Sequence, residues 1–89
     1  MGGLKWTAQA VEDMEAICEF IAKDSIPYSR LFAKDVLQAV KRLDNFPKSG
    51  RIVPEISNKN IREIIMGNYR IIYKIKYNIV EILTVYHYR

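Results

Sequence analysis

The sequence predicts an α+β fold: a two-helix hairpin packed on one face of a small antiparallel β-sheet, in the order β-α-α-β-β-β-β. Two patterns and one limit lead there. Residues 61–89 divide into three β-rich runs, I-R-E-I-I-M, Y-R-I-I-Y-K-I-K and I-V-E-I-L-T-V-Y-H-Y-R, separated by the turn dipeptides Gly67-Asn68 and Tyr77-Asn78. Residues 8–45 place apolar side chains at helical spacing with one interruption, at Asp24-Ser25-Ile26-Pro27. With 89 residues, 49% of them hydrophobic, the chain is expected to form one domain over residues 1–89 with an economical core.

Taken in order, Leu4 to Trp6 is a short apolar run read as a first strand. Thr7 suits a helix N-cap, where its hydroxyl accepts from a first-turn amide. Ala8 to Lys23 repeats Val11, Met14, Cys18 and Ile21 at three- and four-residue spacing. Ala10, Ile17 and Phe20 widen that apolar side, and Glu12, Glu15 and Glu19 occupy the solvated one. Pro27 opens the second helix, where its missing amide has no partner to lose. This helix is expected to reach Asn45, with Phe32, Val36, Val40 and Leu43 as its stripe. The short connection makes the two helices an antiparallel hairpin. F-P-K-S-G at 46–50 ends it, and Arg51 to Ile56 is an edge strand interrupted by Pro54.

A two-residue loop at Tyr77-Asn78 sets Lys76 opposite Ile79, Lys74 opposite Glu81, Ile72 opposite Leu83 and Arg70 opposite Val85. Tyr69, Ile71, Tyr73, Ile75, Val80, Ile82, Thr84 and Tyr86 then face the helices. Arg70, Ile72, Lys74, Lys76, Glu81, Leu83, Val85 and His87 face outward. On this register Arg70 and His87 lie diagonally across one open face, and Tyr88 joins them if the strand bends at its end. A two-residue turn at Gly67-Asn68 adds Ile61, Glu63 and Ile65 to the open face and turns Arg62 toward the helices. A three-residue turn exchanges Arg62 and Glu63.

The net charge of +4 is uneven. Residues 1–46 hold six Lys/Arg against seven Asp/Glu, and residues 47–89 hold eight against three. The meander therefore carries the basic field, which suits an anionic partner. Cys18 stands alone, so no internal disulfide forms, and a reducing, cytoplasmic location is expected. No apolar run approaches the ~20 residues that cross a bilayer, so no membrane association is expected. One histidine and one cysteine give no metal-ligand spacing, and Gly67 is no phosphate loop; no cofactor is expected.

Arg70, His87, Tyr88 and Arg89 remain as the chemistry-bearing group. Metal-free RNA cleavage needs a proton carrier, for which His87 or Tyr88 is the candidate. It also needs cations on the phosphate, for which Arg70 and Arg89 are the candidates. A solvated basic surface is the alternative reading of the same residues. Arg62, Glu63, Lys74 and Arg89 are candidate contacts to a substrate or target.

Four segments carry a resemblance along nearly the whole chain: L-K-W-T-x-x-A-x-x-D at 4–13, F-P-K-S-G-R at 46–51, R-E-I-I-M-G-N-Y-R-I-I-Y-K-I at 62–75, and the ending V-Y-H-Y-R. Together they resemble the RelE/ParE superfamily of type II toxins. The resemblance implies the fold given above and a growth-arresting toxin neutralised by a cognate antitoxin. The body looks most like the ParE branch, whose members poison DNA gyrase. Tyr86-His87-Tyr88 is similar to the ending of YoeB-type ribonucleases, whose His and Tyr serve catalysis on ribosome-bound mRNA. Arg70 matches the arginine that the nucleases place on the scissile phosphate. Ile61 and Glu63 stand where RelE-type nucleases carry lysines. Gyrase inhibition is the favoured expectation, with a ribosome-dependent endonuclease using Arg70 and His87 as the alternative.

Overall fold

Thr7 begins the first helix as its residue type predicts. In the computed structural model, which describes residues 3–88, its extended backbone precedes α1 (Ala8–Ala22) and its hydroxyl accepts from the Ala10 amide at 3.1 Å. Ser25 caps α2 (Ile26–Arg42) in the same way, accepting from the Tyr28 amide at 3.1 Å, with Pro27 in the first turn. The buried Ser29 hydroxyl donates to the Cys18 carbonyl at 2.7 Å and ties the hairpin together. α2 ends three residues before the expected Asn45, and a single 3-10 turn (Pro47–Ser49) follows.

Five strands are described: β1 (Leu4–Trp6), β2 (Arg51–Ile52), β3 (Ile61–Met66), β4 (Tyr69–Lys76) and β5 (Ile79–His87). Their order is β1-β5-β4-β3-β2. β2 to β5 form the expected antiparallel array, but β1 pairs in parallel with β5, so the sheet is mixed. The reason is the alternation of direction along the chain. Each connection reverses the path, so the first and last elements run the same way and meet at one edge through the helical crossover.

The core lies between the helices and one sheet face. It contains Ala10, Val36, Val40, Leu43, Ile71, Tyr73, Val80, Ile82 and Val85. The stripe expected of α2 is present. That of α1 is rotated: Ala10 is the fully buried residue, whereas Val11 and Phe20 are exposed and Cys18 is only half-buried. The small Ala10 side chain lets α1 lie close on β5; a larger residue there would overpack the contact.

That close approach secures a feature absent from the predicted register. Lys76↔Ile79, Lys74↔Glu81 and Tyr73↔Ile82 pair as expected, but the next pair is Ile72↔Thr84, leaving Leu83 extra in a β-bulge. Thr7 and the start of α1 take up the Ile82 and Leu83 carbonyls and the Val85 amide. Thr7 donates from its backbone amide to the Ile82 carbonyl at 3.1 Å, and its hydroxyl is shared between the Ile82 and Leu83 carbonyls at 2.8 and 3.0 Å. Asp13 Oδ2 accepts from the Thr84 hydroxyl at 2.5 Å and the Val85 amide at 3.1 Å, while Gln9 donates to Oδ1 at 2.8 Å. Side-chain alternation then inverts beyond the bulge. Val85 enters the core, and Tyr86 leaves it.

The loop before β2 is fixed from the core. The Tyr73 hydroxyl donates to the Pro47 carbonyl at 2.7 Å and accepts from the Gly50 amide at 3.0 Å. Burial pushes the Tyr73 phenol upward, opposed by that Gly50 bond and by the Arg62 charge. A Cβ on Gly50 would stand 2.6 Å from the Tyr73 oxygen and 2.7 Å from the Glu63 carbonyl oxygen. Only glycine allows this approach.

Gly50→Ala is therefore expected to cost about 1–3 kcal/mol, read as a lower urea midpoint. Partial burial raises the Asp13 carboxyl, but the bonds from Thr84, Val85 and Gln9 outweigh it and hold the folded pKa below 3.8. A depressed carboxylate stabilises the fold above its unfolded pKa and loses that contribution as pH falls through the folded one. Asp13→Asn should thus unfold more readily than the parent at neutral pH. The charge-linked part of that gap should close in urea titrations carried progressively below pH 3.8.

Candidate functional site

The two-residue turn at Gly67-Asn68 decides which β3 residues join Arg70. Gly67 takes the left-handed φ of 60°, and Met66 pairs with Tyr69, Ile65 with Arg70, Glu63 with Ile72 and Ile61 with Lys74. Glu63 therefore stands on the open face, and Arg62 turns the other way, as the two-residue alternative requires. β2 adds Arg51 directly opposite Glu63.

Glu63 is 1% exposed, with an arginine on each carboxylate oxygen: Arg51 Nε donates to Oε2 and Arg70 Nε to Oε1. Arg70, 7% exposed, also donates from Nη2 to Glu55 Oε1 at 2.9 Å and from Nη1 to the Tyr86 hydroxyl at 2.8 Å. Its guanidinium carbon lies 5.8 Å from the Tyr86 ring centroid and 5.5 Å from that of Tyr88. Arg51 Nη2 reaches the Tyr88 hydroxyl at 3.4 Å. Two arginines thus meet two glutamates, and the group is neutral overall.

The titration behaviour follows. Hydrogen bonds to Glu55 and then Glu63 push Arg70 further up, against the opposing effect of burial. Arg70 in turn is the largest influence lowering Glu55. Glu63 first, then Tyr88, raise Arg51. The ionic forms support one another, so Arg70 is a permanent cation with its charge already answered.

His87 is not part of this group. The bulge at Leu83 pairs it with Tyr69 on the helix side, where the two rings meet edge to face at 5.2 Å. The expected meeting of Arg70 and His87 on one open face is thereby corrected: Tyr86 and Tyr88 occupy the place assigned to His87. Arg62 Nε donates to the Lys59 carbonyl at 3.0 Å, and its Nη1 to the carbonyls of Gly50 and Lys48 at 2.9 and 3.2 Å, clasping the loop before β2. Lys74 shares the open face but stands about 13 Å along the strand from Arg70. Arg89 lies outside the described residues. Glu55 and Arg51 were missed as partners because nothing in the chain around them announces a long-range pairing.

With this geometry in place, comparison with known proteins is informative. A family model described as the ParE toxin of type II toxin-antitoxin system, parDE, matches residues 4–89. The chain belongs to the ParE toxin family. Comparison with curated proteins gives no match. Among solved structures, the chain is similar to one from the chromosomal ParDE toxin-antitoxin system of P. aeruginosa, at 24% identity and a TM-score of 0.80 over 100% of this chain and 98% of that one. It is also similar to one from the toxin-antitoxin complex RelBE2 of Mycobacterium tuberculosis, at 22% identity and a TM-score of 0.60 over 96% and 88%. At these identities the likeness is one of fold. Among the described residues, no helix is long and apolar enough to cross a membrane.

The ion-pair group makes a graded prediction. Glu63→Ala leaves two arginines facing one another and is expected to cost about 2–3 kcal/mol, below the upper range for broken buried pairs because Glu55 still holds Arg70. Glu55→Ala, at an exposed position, should leave the urea midpoint within experimental scatter. Equal effects of the two would show that Glu63 is not the centre of the group.

Proposed function

We propose that the chain is a growth-arresting toxin that acts by binding DNA gyrase without catalysis, and that a cognate antitoxin holds it inactive. The observation that carries this reading is the commitment of Arg70 to Glu63, Glu55 and Tyr86. A nuclease face needs an uncommitted cation for the phosphate and a proton carrier beside it. Here the cation is neutralised, and the one histidine sits on the opposite side of the sheet. The open face instead presents Ile65, Tyr86 and Tyr88 as partly exposed apolar and aromatic surface, a composition suited to protein contact.

Family membership and the similarity to proteins from toxin-antitoxin systems support the antitoxin as partner. So does the outer surface of the helix hairpin, where Val11, Phe20, Leu31 and Leu37 are exposed. An amphipathic helix or extended segment covering them would remove that apolar area from water.

The test is a supercoiling assay with purified protein and gyrase, paired with primer-extension mapping of transcripts after induction. Dose-dependent loss of supercoiling with unchanged message ends is expected, and His87→Ala should arrest growth as the parent does. Unaffected gyrase, or new message ends that vanish in His87→Ala, would overturn the proposal.

A further inference from the structure

A cavity of about 320 Å³ opens between α2 and the β3–β4 turn, on the side of the molecule away from the ion-pair group. Tyr28, Leu31, Phe32 and Asp35 follow one another at helical spacing and form one wall. Asn68 and Tyr69 form the other. The Phe32 and Tyr69 centroids are 4.9 Å apart at an interplanar angle of 55°, and Tyr69 also meets the His87 ring at 5.2 Å. Tyr69 is therefore packed against two rings before any ligand arrives. Among the described residues, Asp35 has no hydrogen bond or ion pair, unlike Asp13, Glu55 and Glu63, whose carboxylates are each engaged.

We propose that this cavity receives the cationic side chain, arginine in preference to lysine, of a polypeptide partner. Aromatic rings present negative faces to a cation, and a carboxylate at the rim supplies the full counter-charge. An apolar occupant would leave Asp35 unused, and an anion would be repelled by it. The volume lies at the lower limit of small-molecule sites, which suits one side chain. A guanidinium both stacks on rings and forks to a carboxylate, whereas an ammonium does only part of this. Among the described residues that line the cavity, Asp35 carries the one charge, so a cation entering it meets a carboxylate and no competing cation. The site stands whether or not gyrase is the target.

The full chain, isotopically labelled, should be titrated with N-acetyl-arginine amide, N-acetyl-lysine amide and N-acetyl-norleucine amide, with NMR shifts as the readout. Saturable shifts at Tyr28, Phe32 and Tyr69 are expected with the arginine probe, smaller ones with lysine and none with norleucine. Asp35 is exposed, so Asp35→Asn should keep the spectrum of the fold while weakening arginine binding about three- to fivefold. Asp35→Glu should retain it. Norleucine binding as tightly as arginine, affinity unchanged in Asp35→Asn, or non-saturating shifts spread over the whole surface would each overturn the proposal.

Discussion

The extra residue at Leu83 and the two side chains that hold it govern everything beyond the middle of the last strand. A strand alternates its side chains between faces, so one inserted residue reverses each that follows. Val85 becomes core, Tyr86 turns outward to Arg70, and His87 passes to the helix side beside Tyr69. A bulge leaves backbone groups without ladder partners, and buried groups of that kind are costly. Thr7 and Asp13 supply the missing partners from the first two turns of α1, across 75 and 72 positions of sequence. Thr7 thus starts the helix and secures the sheet with one hydroxyl. The fit depends on Ala10 between them, whose small side chain lets helix and strand approach.

Glu63 organises the opposite face. Burying a carboxylate is costly unless it is paired, and two guanidiniums with their hydrogen bonds supply that pairing. Such a group is weak evidence for overall stability, since an apolar replacement of the whole set often serves as well. Its consequence here is placement. Arg70 becomes a strut between β4, the 53–57 segment through Glu55, and the tyrosines of β5, with little of its charge left to offer a ligand. The surface above it is neutral and aromatic at its edges. Steric exclusion reinforces this, because Tyr86 and Tyr88 lie over the guanidinium that a phosphate would have to reach.

The two faces therefore differ in kind. One carries a self-satisfied ionic group beneath tyrosines, and the other a groove lined by aromatic rings with the Asp35 carboxylate at its rim. For a protein of the ParE toxin family, both faces thus present groups suited to contact with protein surfaces.

The sequence by itself determined the element order, the Thr7 cap and the turn positions at Gly67-Asn68 and Tyr77-Asn78, and it left the length of the first turn to choose between Glu63 and Arg62 as the companion of Arg70. Each of these rests on local chemistry: a hydroxyl before an apolar repeat, a residue able to hold a left-handed φ, a side-chain period of two. The bulge was not determined in this way, because Leu83 and Thr84 carry no glycine or other local mark of an inserted residue. Its stability comes from Thr7 and Asp13, which only the packed helix brings to it. The tertiary structure alone therefore decided the faces of Val85, Tyr86 and His87, and with them which residues stand beside Arg70.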